Sequence, residues 1–434
     1  MIARIVTWAV EKRWLVLLLT VIVAAIGAFS LYRLPIDAVP DITNNQVQIN
    51  VRAPALSPEL VEKQVSFPIE TALAGTPGLE YTRSLSRNGF AQITAVFSDA
   101  TDIYFARQQV GERLRGVQEN LPDGVNPEMG PIATGLGEVY MYTVRLDHRE
   151  DDKHKPGEPG QQPDGSYITP EGERLTTEED KATYLRTAQD WIVTPLLKTT
   201  PGLAGVDSIG GYAKQFLVVP DVQKLASLGI TLTDLGNALE RNNTSVGGGF
   251  VNRNGEGLAV RSDALVRNAS ELARTVIATR NGVPITVEQV ATVKTGQAIR
   301  MGSASENGTE VVVGTAIMRI GENSRIVSTA VAEKLKTINA SLPPDVVIQP
   351  VLNRTELVNS TIKTVAKNLS EGAVLVIVVL FLLLGNFRAA LIAALVIPIT
   401  MMLTGFGMLR AGVSANLMSL GALDFGLIVD GAVI

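Results

Sequence analysis

Apolar residues gather into four long runs, and the remaining positions alternate or cycle with the periods of strands and helices. Residues 14–31 give eighteen positions without a charge, introduced by Lys12 and Arg13. A second run has its apolar core at 372–384 and reaches spanning length over 369–387, with Glu371 near one end. Residues 389–409 give twenty-one uncharged positions, and residues 417–434 are apolar apart from two aspartates. A hydrocarbon core of about 30 Å takes roughly 20 helical residues, so four spanning helices are expected at 14–32, 368–387, 389–409 and 415–434. The first run is longer than the apolar region of a cleaved leader. Arg4, Lys12 and Arg13 hold the N-terminal segment, residues 1–13, in the cytoplasm, and Arg388 places the tight 385–388 turn there too. Arg410 is an exception to that rule. The polar stretch from Arg33 to Lys367 then lies outside the membrane, since long loops translocate whatever their charge.

That outer stretch is too long for a loop and carries an internal repeat. Residues 46–51 alternate as a strand. Ser57-Pro58-Glu59 supplies an N-cap, a proline at the first helical position and an early acid, opening a helix that Gly75 ends. Strands at 79–85 and 90–97 flank the hairpin signal Arg87-Asn88-Gly89, and a helix over about 102–119 follows. The same order returns: a strand at 138–146, a helix at 182–199, then 204–209 and 215–219 as a hairpin around Gly210-Gly211. Thr76-Pro77-Gly78-Leu79 recurs as Thr200-Pro201-Gly202-Leu203 at the matching corner. A repeated strand–helix–strand unit with helical crossovers is ferredoxin-like α+β rather than all-β. A Gly-, Pro- and acid-rich insertion, 147–180, interrupts the second unit and is expected as a loosely ordered surface excursion. Residues 242–257, with Gly247-Gly248-Gly249, lack the strand-to-helix context of a phosphate loop and read as a flexible arm reaching a neighbouring subunit.

Composition narrows the chemistry. The 434 residues are 46% hydrophobic and 19% charged, with a net charge of −5 that argues against a nucleic-acid partner. Cysteine is absent, which excludes disulfides, thiolate metal sites and thiol catalysis. Soft Cu(I) or Ag(I) would then need methionine clusters, whereas carboxylate and imidazole ligands suit Zn(II), Co(II), Ni(II) or Cd(II). His148 and His154, with the acids around them, fit no fixed coordination spacing.

The sharpest chemical feature is the pair Asp424 and Asp430 in the last apolar run. An ionised carboxylate at mid-membrane costs at least about 2.5–3.5 kcal/mol. Burial also raises its pKa toward neutrality, so such a group can exchange a proton at physiological pH. Six helical residues set the two side chains roughly 120° and about 9 Å apart, so they do not share one small site on a straight helix. Gly426 sits one turn before Asp430 and admits a close neighbouring helix. The structural alternative is a static, hydrogen-bonded pair that holds helices together.

One span, a large outer region of repeated α+β units and then closely spaced spans resemble the half-plan of resistance–nodulation–division exporters. The stretch DFGLIVDGAV resembles the fourth-span signature of their heavy-metal branch, nearest to the cobalt–zinc–cadmium type. PDITNNQVQI at 40–49, GLGEVY at 135–140, QDWIVTPLL at 189–197, IGGYAKQ at 209–215 and ANLMSLGALDFG at 415–426 are similar to the same branch. The resemblance implies a membrane α-helical bundle plus α+β outer region. Porter subdomain 1 would occupy 33–134, and porter subdomain 2 would occupy 135–200 and 273–335. A docking subdomain would lie at 201–272, with a return segment at 336–367. It implies a bacterial inner-membrane homotrimer that meets a periplasmic adaptor and an outer-membrane channel, with no enzymatic step and no cofactor. The transported species would be a divalent metal ion exchanged for protons, with Asp424 and Asp430 as relay acids and Glu138 and Asp190 at metal-binding positions. The family's full plan repeats this half, so the chain is expected to be a partial sequence that does not pump alone.

Two other functions compete. Export of amphiphilic organic compounds would call for an aromatic-lined outer site, and aromatics make up only 5% of the chain. A non-transporting membrane sensor or scaffold would leave the two aspartates dispensable.

Overall fold

The computed structural model describes residues 2–34, 43–147, 155–253, 255–263, 265–280, 282–300, 302–385 and 387–411. Asp424, Asp430, the expected fourth span, His148 and His154 lie outside the described residues.

The first α+β module is built on β1 (Gln46–Arg52), β2 (Leu79–Arg87), β3 (Phe90–Phe97) and β4 (Asn126–Met129). The sheet order is β2-β3-β1-β4 with every neighbour antiparallel, the order of a split β-α-β unit. Alternation decides its faces: Val47, Ile49 and Val51 are buried against Ile69, Leu73, Val110 and Leu114 of the two covering helices. Ser57 caps the first helical segment, Pro58–Val61, by accepting from the Leu60 amide. Asp102 caps Ile103–Val117 by accepting from the Phe105 amide at 2.9 Å.

The second module repeats that order with long interruptions. It opens with β5 (Glu138–Leu146), followed inside the insertion by β6 (Gly160–Gln161), β7 (Tyr167–Ile168) and β8 (Arg174–Leu175). These three short strands pair in the order β6-β7-β8, so residues 155–177 are not the loosely ordered excursion that their composition predicts. Tyr167 is 0% exposed and belongs to the module's core. Its hydroxyl donates to the Pro344 carbonyl at 2.8 Å, and the Gln161 amide donates to the Asp345 carboxylate at 2.6 Å. One buried aromatic and two anchoring bonds outweigh a polar composition.

After the helix Glu178–Ala188 comes β9 (Leu203–Ile209). The expected hairpin around Gly210-Gly211 does not form. β10 (Lys214–Pro220) leaves the module, and an inserted unit follows with β11 (Ser245–Arg253), β12 (Glu256–Asp263), β13 (Val276–Arg280), β14 (Val283–Thr286) and β15 (Ala291–Gln297). β10 pairs β15, while β9 pairs a strand more than ninety residues later. The glycines serve the crossing. Gly210 and Gly211 have φ of +91° and +60°, and a side chain on either would strike backbone of Val311 or Ala182. Glycine pairs mark tight turns as readily as crossovers, because both need positive φ at close quarters. The inserted unit therefore runs from 214 to 297 rather than over 201–272, and residues 203–209 stay with the second module.

The chain returns through β16 (Ala304–Glu306), β17 (Thr309–Met318), the helix Ser324–Ser341 and β18 (Val346–Asn353). β17 lies between β9 and β5, and β18 pairs the far side of β5. The order β9-β17-β5-β18 thus matches that of the first module. Gly78 and Gly202 occupy the same corner in the two modules, with φ of +79° and +84°. Within the inserted unit, Leu225, Leu235, Ile285, Val287 and Val290 form a small core of their own. β11 and β12 make a hairpin rather than a loop, and Phe250 on it is 79% exposed.

Arg13–Arg33 is a single helix whose segment Arg13–Tyr32 is, among the described residues, the one long and apolar enough to cross a membrane. It packs on Phe387–Ala411, where Gly27 faces the backbone of Met402 and Gly405 faces Leu31 with no room for a Cβ on either. Close contact through small residues is how apolar helices gain packing without a hydrophobic drive. The expected span at 368–387 is the end of a 31-residue helix, Arg354–Leu384, that starts inside the second module. Asn353 accepts from the Thr355 amide and from the buried Ser328 hydroxyl, both at 3.0 Å, and so fixes the helix start to that module.

Candidate functional site

Glu138 opens β5 at the module surface, with its side chain exposed. The register between β5 and β17 shifts at this point, since Ile317 faces Glu138 while Ala316 faces Tyr140. A bulge re-aims the side chains beside it, and it leaves the acid outside an otherwise buried strand.

Asp190 sits in a helical segment with a different irregularity. Pro195 offers no N–H to the preceding turn, and its ring crowds the carbonyl four residues back. The chain responds with a π turn, Gln189–Val193, between Glu178–Ala188 and Thr194–Leu197. The first module does the same at Glu62–Ser66, ahead of Pro68. Single π turns add a residue to the helical repeat and recur at functional sites. Here the turn sends Gln189 inward to full burial, leaves Asp190 half-buried and exposes Trp191 to 79%.

Behind Asp190 lies a polar cluster. The Gln189 amide nitrogen is within 3.1–3.2 Å of the Tyr142 hydroxyl, Thr194 Oγ1 and Ser208 Oγ. Its carbonyl oxygen is buried without a partner. Burial pushes the Tyr142 hydroxyl well above its ordinary range, and the bond from Gln189 offsets part of that. In front of the cluster, Arg186 Nε donates to Asp190 Oδ2 at 2.7 Å and its second branch donates to the Gly210 carbonyl at 3.0 Å. The Arg186 fork therefore joins the predicted acid to the crossover into the inserted unit.

Among the described residues, no three His, Asp or Glu side chains are gathered as a metal-holding group. Glu138 and Asp190 are thus placed on one module but not within a complete ligand set. Arg186 and Gln189 carry no motif of their own in the sequence. The four-residue spacing of Arg186 and Asp190 on a helix was the available signal for the first, whereas the π turn that buries Gln189 has no periodicity of its own.

Along residues 5–434 the chain matches the model of a family described as AcrB/AcrD/AcrF. It is 58% identical to the nickel-cobalt-cadmium resistance protein NccA of Alcaligenes xylosoxydans xylosoxydans, over 100% of this chain and 40% of that protein. It is 50% identical to the cobalt-zinc-cadmium resistance protein CzcA of Cupriavidus metallidurans, over 100% of this chain and 39% of that protein. A crystal structure of a heavy metal efflux pump superposes with a TM-score of 0.82 at 33% identity, covering 98% of this chain and 40% of the other. The chain spans about two-fifths of the length of the relatives it matches.

Proposed function

Because the chain belongs to the AcrB/AcrD/AcrF family of resistance–nodulation–division transporters, we propose that its complete protein exports divalent cations of the Zn, Co, Cd and Ni class in exchange for protons. The observation that carries this reading is similarity at 58% and 50% identity, along the whole chain, to proteins named for nickel, cobalt, cadmium and zinc resistance. Asp424 and Asp430 are the proton-relay acids in this reading, because a carboxylate kept in an apolar helix can change charge near neutral pH. Glu138 and Asp190 are oxygen ligands on the outer path of the cation, consistent with a chain that lacks cysteine. The protein acts as a homotrimer in the bacterial inner membrane, with a periplasmic adaptor and an outer-membrane channel as partners. The exposed β11–β12 hairpin reaches the neighbouring subunit.

Resistance conferred by the complete gene tests the proposal. Cells carrying it tolerate raised Ni(II), Co(II), Zn(II) or Cd(II), and Asp430→Asn abolishes that tolerance while the protein still assembles. Tolerance that survives the substitution removes the proton-relay assignment. A profile limited to organic amphiphiles removes the metal assignment.

A further inference from the structure

Asp190 is already occupied by a positive charge. The Arg186 guanidinium contacts its carboxylate at 2.7 Å from one turn earlier on the same helical segment. Both partners are partly shielded, with side chains 24% and 34% exposed, so the pair is neither a solvated surface contact nor a sealed one. The guanidinium is also held from a second side. Its other branch donates to the Gly210 carbonyl, and Gly211 lies so close to Arg186 Cβ and the Ala182 carbonyl that it admits no side chain. A planar fork with two fixed partners is pre-organised in a way that a flexible ammonium is not. Asp190 itself keeps about a third of its side chain open to solvent, 34%.

We propose that Arg186 is a positioning residue that acts as a resident counter-charge on Asp190, which an arriving divalent cation must displace. The inference rests on the reading of Asp190 as a cation ligand. Two consequences follow from Coulomb's law and the geometry. In the empty state the pair holds Asp190 in one orientation and withholds it from weakly binding monovalent cations. In the loaded state the guanidinium loses its carboxylate and keeps only the Gly210 carbonyl, at the crossover that carries the inserted unit. Arg186 thereby raises the threshold for capture, so that release on the outward side needs less affinity to be overcome.

Titration of the complete protein in detergent with Ni(II), followed by calorimetry, tests this. Arg186→Gln removes the charge and is expected to tighten Ni(II) binding by about tenfold, the scale of a half-screened neighbouring charge. Arg186→Lys keeps the charge but reaches only one partner at a time, and about a threefold tightening is expected. Asp190→Asn weakens binding, and in that background Arg186→Gln has no further effect. Should the glutamine variant fail to fold, the lysine variant decides alone. Unchanged or weaker binding in the Arg186 variants, with Asp190→Asn still weakened, overturns the counter-charge proposal. Unchanged binding in Asp190→Asn instead overturns the ligand reading on which it stands.

Discussion

The ring of Tyr142 on β5 lies directly over Gly314 on β17, in the space that a Cβ at position 314 would fill. This contact sets the depth at which the Tyr142 hydroxyl meets Gln189, and through Gln189 the position of the turn that carries Asp190. Gly314→Ala forces the ring aside in a packed core, and overpacking of this kind costs about 1–3 kcal/mol. The expected outcome is a lower thermal midpoint together with a displaced Gln189 amide. A midpoint equal to the parent's would mean that the ring has a second place to go.

The insertion provides a second prediction. Tyr167 packs beside Tyr184, with ring centroids 5.3 Å apart and planes tilted by 41°, and its hydroxyl is tied to Pro344. Tyr167→Phe removes one hydrogen bond and is expected to cost about 1 kcal/mol. Tyr167→Ala empties a fully buried aromatic site and is expected to cost about 3–5 kcal/mol. Chemical denaturation of the two variants checks the order. Equal small losses would return the insertion to the status of a surface loop.

The two split modules were legible because alternation at Val47, Ile49 and Val51, the caps Ser57 and Asp102, and the repeated Thr-Pro-Gly-Leu corner are local signals. The crossover at Gly210-Gly211 was not, since β9 finds its partner in Thr309–Met318, beyond the whole inserted unit. No local pattern distinguishes a hairpin from that arrangement. The order of the insertion is hidden for a related reason: a single tyrosine, Tyr167, among polar residues contributes little to composition but fills a core place. Arg186 is hidden in sequence because its role depends on a second side chain, Asp190, and on the Gly210 carbonyl that only the fold brings within reach.

Acid sensitivity of the inserted unit follows from its capping box. The Asp234 carboxylate accepts from the Thr231 hydroxyl at 2.7 Å and the Thr231 amide at 2.9 Å. These bonds hold its pKa below the ordinary carboxylate value. Their contribution is full above the unfolded value of about 4 and is lost as pH falls through the lower folded value. Hydrogen-exchange protection factors in Leu232–Arg241, taken relative to the intrinsic rate at each pH, should therefore fall below about pH 4. Asp234→Asn should flatten that dependence. An unchanged acid profile in the variant would assign the sensitivity to another carboxylate.

Glu138 poses the most direct test of the outer cation path. Five of the eight residues that follow Glu138 on strand β5 are buried, whereas Glu138 itself is exposed. The bulge opposite Ile317 turns it outward, away from the core on which the module's stability depends. Glu138→Gln is therefore expected to leave the unfolding free energy within about 0.5 kcal/mol of the parent, as surface changes do, while it weakens Ni(II) or Zn(II) binding by the complete protein. Glu322 serves as the control, because it is another surface acid, already paired with Arg319 at 3.2 Å, and Glu322→Gln should leave metal binding alone. If both substitutions weaken binding equally, the effect is one of general surface charge. If only Glu138→Gln does so, the side chain touches the cation, for a carboxylate differs from its amide in charge and hardly at all in shape.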